Sequence, residues 1–188
     1  MPFIFVFFVF IFFFLLQKYS IYPLEKIIFP SYLIDQASLL YIPHAVRIIS
    51  YYVFGRLVLI PIFLSQCFTY IFLNNEPIIH SLILSFISTS SIFLGFELFN
   101  LFNTKISFKL DNIIDWKKII LIGCFVSLFN SSFSSYYLIK SKNVNFDILL
   151  NIRFLIGDII GLVFGMIIFI SIIKLYICWS KNVCRKVK

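Results

Sequence analysis

Apolar residues run along this chain in blocks of 15 to 30, separated by short polar stretches. Blocks of that length suit helices surrounded by lipid, because a bilayer core takes about 20 mostly apolar residues per spanning helix. The pattern predicts an all-α, polytopic transmembrane bundle of about six helices, over residues 2–17, 36–54, 57–73, 77–102, 119–139 and 148–177, forming a single integral membrane domain.

The punctuation sets the connections. The opening run PFIFVFFVFIFFFLL is read as a membrane helix, although it is short for a span and a cleaved or re-entrant segment is the alternative. Pro23 and Pro30 interrupt the next segment, and Tyr19, Tyr22 and Tyr32 favour the headgroup region, so residues 19–35 are expected to form a broken interfacial stretch along the outer surface. Gly55-Arg56 is a tight connection that makes the second and third helices a hairpin. Asn74-Asn75-Glu76-Pro77 opens the fourth helix, with Pro77 suited to a first turn. A polar connection carrying Lys105, Lys109, Asp111, Asp115, Lys117 and Lys118 precedes the fifth helix, and SKNVNFD precedes the sixth. Neither an internal repeat nor a low-complexity linker divides the chain.

Composition strengthens the picture. Of 188 residues, 61% are hydrophobic and 13% charged, against about 25% charged in ordinary soluble domains. The net charge of +8 does not point to nucleic acid, because the basic residues sit in connections and the tail rather than on a soluble face. They orient the chain instead, since Lys and Arg near helix ends stay in the cytoplasm. With the tail inside, ten basic residues face inward (Arg56, Lys105, Lys109, Lys117, Lys118, Lys174, Lys181, Arg185, Lys186, Lys188) and four outward (Lys18, Lys26, Lys140, Lys142). The expected setting is the inner, plasma membrane of a bacterium, multi-pass, with the lipid bilayer as partner and a cytoplasmic C-terminus.

Five ionisable side chains fall inside the predicted helices: His44, Arg47, Glu97, Arg153 and Asp158. Each costs at least about 2.5 to 3.5 kcal/mol at a helix centre and therefore needs a partner, a cavity or a function. Counted along the helices, Arg47 lies roughly 13 Å from Arg56, and Glu97 roughly 12 Å from Lys105. The matching depths predict an Arg47–Glu97 pair across the second and fourth helices. Asp158, in the outer half, is placed to meet His44 or Arg153, and Arg153 alternatively reaches the outer headgroups. Pro43, beside His44 and Arg47, is expected to break its helix and free a carbonyl at a polar site, a simple kink being the alternative. His44, Arg47, Glu97 and Asp158 thus form a candidate polar or ligand site, weighed against a purely structural set of polar contacts.

Gly157, Gly161 and Gly165 recur every four positions and would let a neighbouring helix approach closely. Ser88, Ser90 and Ser91, and Ser131, Ser132, Ser134 and Ser135, either bond across helices or wet a cavity. Cys67 and Cys124 lie in apolar runs as small core residues, and Cys178 and Cys184 fall near the inner surface, where acylation is the alternative to an idle thiol. With no CxxC, GxSxG, HExxH or phosphate-binding glycine loop, the chain is not expected to be an enzyme or to hold a metal or cofactor.

The segments IPHAVRIISYYVFGRLVLIPIFLSQ and FLIGDIIGLVFGMIIF resemble the MASE-type membrane-associated sensor domains of bacteria in Pro43, Gly55, Arg56 and Pro61 and in Gly157, Asp158 and Gly161. Those domains have about eight helices and feed a signalling output domain, whereas this chain is shorter and ends in KNVCRKVK. The resemblance implies a non-enzymatic sensory or ligand-binding module acting through a separate subunit. A substrate-capture component of a vitamin-uptake transporter and a structural assembly factor are the alternatives.

Overall fold

The structure, a computed structural model, describes residues 2–28, 38–101, 116–142 and 148–186. Residues 29–37, which hold the end of the expected interfacial stretch with Pro30 and Tyr32 and the expected start of the second helix, and the connections over 102–115 and 143–147 lie outside the described residues, as do the side chains of Cys178 and Cys184. The described chain is helical: α1 (Pro2–Leu16), α2 (Tyr22–Ile28), α3 (Ile42–Phe54), α4 (Leu59–Phe68), α5 (Ile78–Leu101), α6 (Trp116–Lys142) and α7 (Ile148–Lys186). Five stretches are long and apolar enough to cross a membrane: Phe3–Ile28, Ile42–Leu73, Ile78–Leu101, Trp116–Ser141 and Asn151–Leu175. The chain is therefore a multi-pass integral membrane protein.

The first helix does not stop at residue 17. It continues through Gln17–Ile21 into α2, where the Tyr22 amide donates to the carbonyl of Gln17, five residues back. This wide turn absorbs Pro23, whose missing N–H and bulky ring a regular turn would not accommodate.

Residues 42–73 look like one long helix by composition, yet they fold back on themselves. The Ile42 amide donates to Gln17 Oε1 at 3.2 Å, and Lys18 Nζ donates to the Leu73 carbonyl. A straight helix of that length would span about 48 Å, so both ends can meet neighbouring residues of the first helix only if the chain reverses. It does so at Gly55, where φ is 70° and ψ is −153°, after which Gly55–Val58 form a tight 3-10 turn leading into α4. The expected hairpin is present, with arms of 13 residues in α3 and 10 in α4 extended by the wide turn Thr69–Leu73. Only glycine adopts that φ and ψ without strain. Gly55→Ala is accordingly expected to cost about 1–3 kcal/mol, although nothing stands within 4 Å of the added carbon. The unfolding midpoint in detergent measures it, and an unchanged midpoint would show that the turn tolerates a side chain.

The start of the second expected helix differs from expectation. α3 begins at Ile42, not residue 36, and Ser38–Tyr41 are non-helical. Pro43 consequently lies in the first turn of α3, where its missing donor is harmless. It opens the helix and does not kink it.

The bundle has two ends. Lys18, Ile42, Asn74 and His80 mark one, and Arg56 and Glu97 the other. α5 and α6 run antiparallel, with His80 bonded to Tyr137 near the Lys18 end and Phe99 against Phe125 (5.6 Å between ring centres) near the other. α7 runs parallel to α3: Gly157 faces Ser38, Gly161 faces Tyr41 and Gly165 faces Ala45. Ile48, Ile62, Ile92, Ile122, Val126 and Leu162 form the core between these helices. Large apolar side chains such as Phe8, Phe12, Ile60, Phe86 and Ile167 point outward, as a lipid-facing surface requires.

Candidate functional site

His44 and Arg47 are three residues apart on α3 and so share one helical face. That face meets α7, where glycines at 157, 161 and 165 let the two backbones approach; the Tyr41 amide even donates to the Gly157 carbonyl at 3.0 Å. The close approach carries Asp158 to the α3 face. Arg47 Nη2 lies 2.8 Å from His44 Nδ1, His44 Nδ1 lies 3.4 Å from Asp158 Oδ2, and Arg47 Nη2 lies 3.9 Å from Asp158 Oδ1. All three residues are at most 3% exposed.

The chemistry of the donors settles the proton on the imidazole. A guanidinium carries five donors and no acceptor, so at 2.8 Å from Arg47 the Nδ1 of His44 is the acceptor. The ring proton is then on Nε2, which faces the Gly123 carbonyl at 3.4 Å. His44 is neutral in this arrangement, and Asp158 balances Arg47.

Neighbouring helices complete the cluster. Ser127 Oγ donates to Asp158 Oδ2 at 3.2 Å and Asn130 Nδ2 to the same oxygen at 3.5 Å. Arg47 Nη1 donates to Ser88 Oγ, which also accepts from Gln66 Nε2 at 3.2 Å. The Tyr41 ring stands 5.8 Å from the guanidinium carbon, within cation–π range. Five elements, α3 through α7, therefore converge on one buried polar centre.

Glu97 does not belong to it. Its Oε1 accepts from Arg56 Nη2 at 2.7 Å and from Nε at 3.2 Å, in a pair whose arginine is 67% exposed. The expected Arg47–Glu97 pair fails because its depths were measured to Lys105, whereas Glu97 itself is level with the hairpin turn at Arg56. Exposed pairs of this kind contribute little, because solvent screens them. Of the two partners expected for Asp158, the structure places His44 beside it. Of the serines singled out in the sequence, Ser88, Ser91, Ser131 and Ser135 are buried; Ser91 and Ser131 bond to carbonyls of their own helices, and Ser88 bonds to Arg47.

A second polar cluster escaped sequence reasoning. Glu25, 8% exposed, accepts from the amides of Leu39 (3.1 Å) and Leu40 (3.0 Å) and from Ser38 Oγ (2.6 Å). Gln17 Nε2 donates to the same Ser38 Oγ at 2.9 Å. Together Gln17 and Glu25 hold the non-helical Ser38–Tyr41 segment against α7. Glu25 sits between Pro23 and Lys26, a context that reads as solvated interface. Gln66 was the more findable of the missed residues, being an amide within the apolar run LIPIFLSQCF.

No family model, no curated protein and no solved structure matches this chain.

Proposed function

We propose that the chain is a non-enzymatic membrane module that binds a small polar solute inside its bundle, with the sensory role that its resemblance to MASE-type domains implies. The supporting observation is unused hydrogen-bonding capacity beside the sealed charge cluster. Arg47 Nε, Gln66 Oε1 and Ser85 Oγ, on three neighbouring helices, are buried without a hydrogen-bond partner among the described residues. Each such group costs about 1–3 kcal/mol, a cost that polar contacts serving only as glue would avoid. A solute offering an acceptor to Arg47 and a donor to Gln66 would satisfy both. Because Asp158 already balances Arg47, the fitting solute carries no net charge.

On this reading the entrance lies at the Lys18 end, where half-buried Tyr41 stands over Arg47. With the basic tail in the cytoplasm of a bacterial inner membrane, that end faces outward, and a solute bound there would be reported through a partner subunit on the inner side. The competing transporter and assembly roles make different demands on the same residues.

The test is the unfolding midpoint of detergent-purified protein across a panel of neutral, zwitterionic and charged metabolites. A solute specific for the folded state at a hundredfold excess over its Kd adds about 2.7 kcal/mol, and the gain is expected to vanish in Ser85→Ala and Asp158→Asn. Uniform silence of the panel, with Asp158→Asn merely less stable, would replace binding by the structural role. Passage of the bound solute into proteoliposomes would assign transport.

A further inference from the structure

A second concavity lies away from the polar centre. Ile87, Phe133, Tyr136, Tyr137, Lys140 and Ser141 line a groove of about 520 Å³ between α5 and α6. It opens on the outside of the bundle, since Phe133 is 49% and Tyr136 67% exposed. The Tyr137 hydroxyl is held to His80 Nδ1 at 2.6 Å, and the two rings pack 5.6 Å apart, which fixes one wall.

The groove follows the helix axis. From Phe133 to Ser141 it covers nine residues of α6, a rise of about 12 Å, and its Lys140 end coincides with the close of the apolar stretch Trp116–Ser141. Deep in the groove the lining is Ile87 and Phe133; at the membrane edge it is tyrosine, lysine and serine. That gradient matches the one a phospholipid presents, apolar tail toward the bilayer centre and charged headgroup at the surface, where tyrosines also concentrate. Among the described residues the lining contains a cation and no acidic side chain, so a headgroup of net negative charge is favoured over a zwitterionic one.

We propose that this groove is a binding site for one anionic phospholipid, with an acyl chain along Ile87 and Phe133 and the phosphate at Lys140.

Native mass spectrometry of the full chain, released from detergent with phosphatidylglycerol or phosphatidylcholine of matched chains, tests it. Phosphatidylglycerol is expected to be retained in preference, and Lys140→Gln to weaken its retention about fivefold. Lys174→Gln, an exposed site near the opposite end of the bundle, serves as control and is expected to leave retention unchanged. Equal retention of the two lipids, or equal losses in the two variants, would overturn the proposal. Displacement by soluble glycerol phosphate would assign the site to a free phosphate instead, and a lipid-free dimer disrupted by Lys140→Gln would assign it to a second copy.

Discussion

Asp158→Leu is expected to destabilise the protein by about 3–5 kcal/mol, because it strands the Arg47 guanidinium in a low-dielectric interior. Arg47 is 3% exposed and has Asp158 as its only carboxylate partner among the described residues; Ser88 and His44 accept from it but carry no charge. Asp158 in turn stops holding Ser127 and Asn130. The double variant Arg47→Met/Asp158→Leu removes both charges and is expected to recover much of the loss, since apolar residues of similar volume replace buried ion pairs at little cost. Unfolding midpoints of the wild type, both single variants and the double variant close the cycle, with a coupling of up to about 3 kcal/mol expected. Additive single effects would show that the two groups do not compensate one another.

Gly161→Ala and Gly157→Ala are expected to be the most damaging of the glycine-to-alanine changes on α7. The methyl added at Gly161 would overlap the backbone carbonyl of Tyr41 and stand 3.0 Å from its amide nitrogen. Gly157→Ala would meet the Ser38 carbonyl in the same way. Backbone anchored by Glu25 and Gln17 cannot yield without breaking those bonds, so each change is expected to cost about 3 kcal/mol, the upper part of the overpacking range. Gly123→Ala is the internal comparison: its methyl overlaps only the Leu162 side chain, which can change rotamer, and about 1 kcal/mol is expected. Thermal midpoints in one detergent rank the three, and a Gly123 variant as unstable as the Gly161 variant would contradict close α3–α7 approach as the cause. The polar centre should suffer alongside, because the same approach brings Asp158 to His44.

The membrane-spanning helical class was written in the sequence because lipid imposes a one-dimensional condition: each crossing needs its own continuous apolar run. The Gly55-Arg56 hairpin was legible for a similar reason, since glycine is the residue that a left-handed turn requires. So was the glycine period on α7, which marks a close-packed face whatever the neighbour turns out to be. Position along one helix, however, does not say which partner a side chain meets. Arg47 and Glu97 matched in depth along their helices, but Glu97 proved level with Arg56 and Arg47 faced α7 instead. Pro23 and Pro43 illustrate the same limit, one absorbed in a wide turn and the other opening a helix, because a proline's effect depends on where the hydrogen-bond ladder starts. Glu25 acquired its role only when residues 13 to 15 places further along came back to it. The sequence alone determined that the chain lives in a bilayer and that charges such as His44, Arg47 and Asp158 need compensation there. Only the tertiary structure decided the compensation, because buried charges choose partners by distance and direction across helices, and rotation and relative height of the helices leave no mark on a single apolar run.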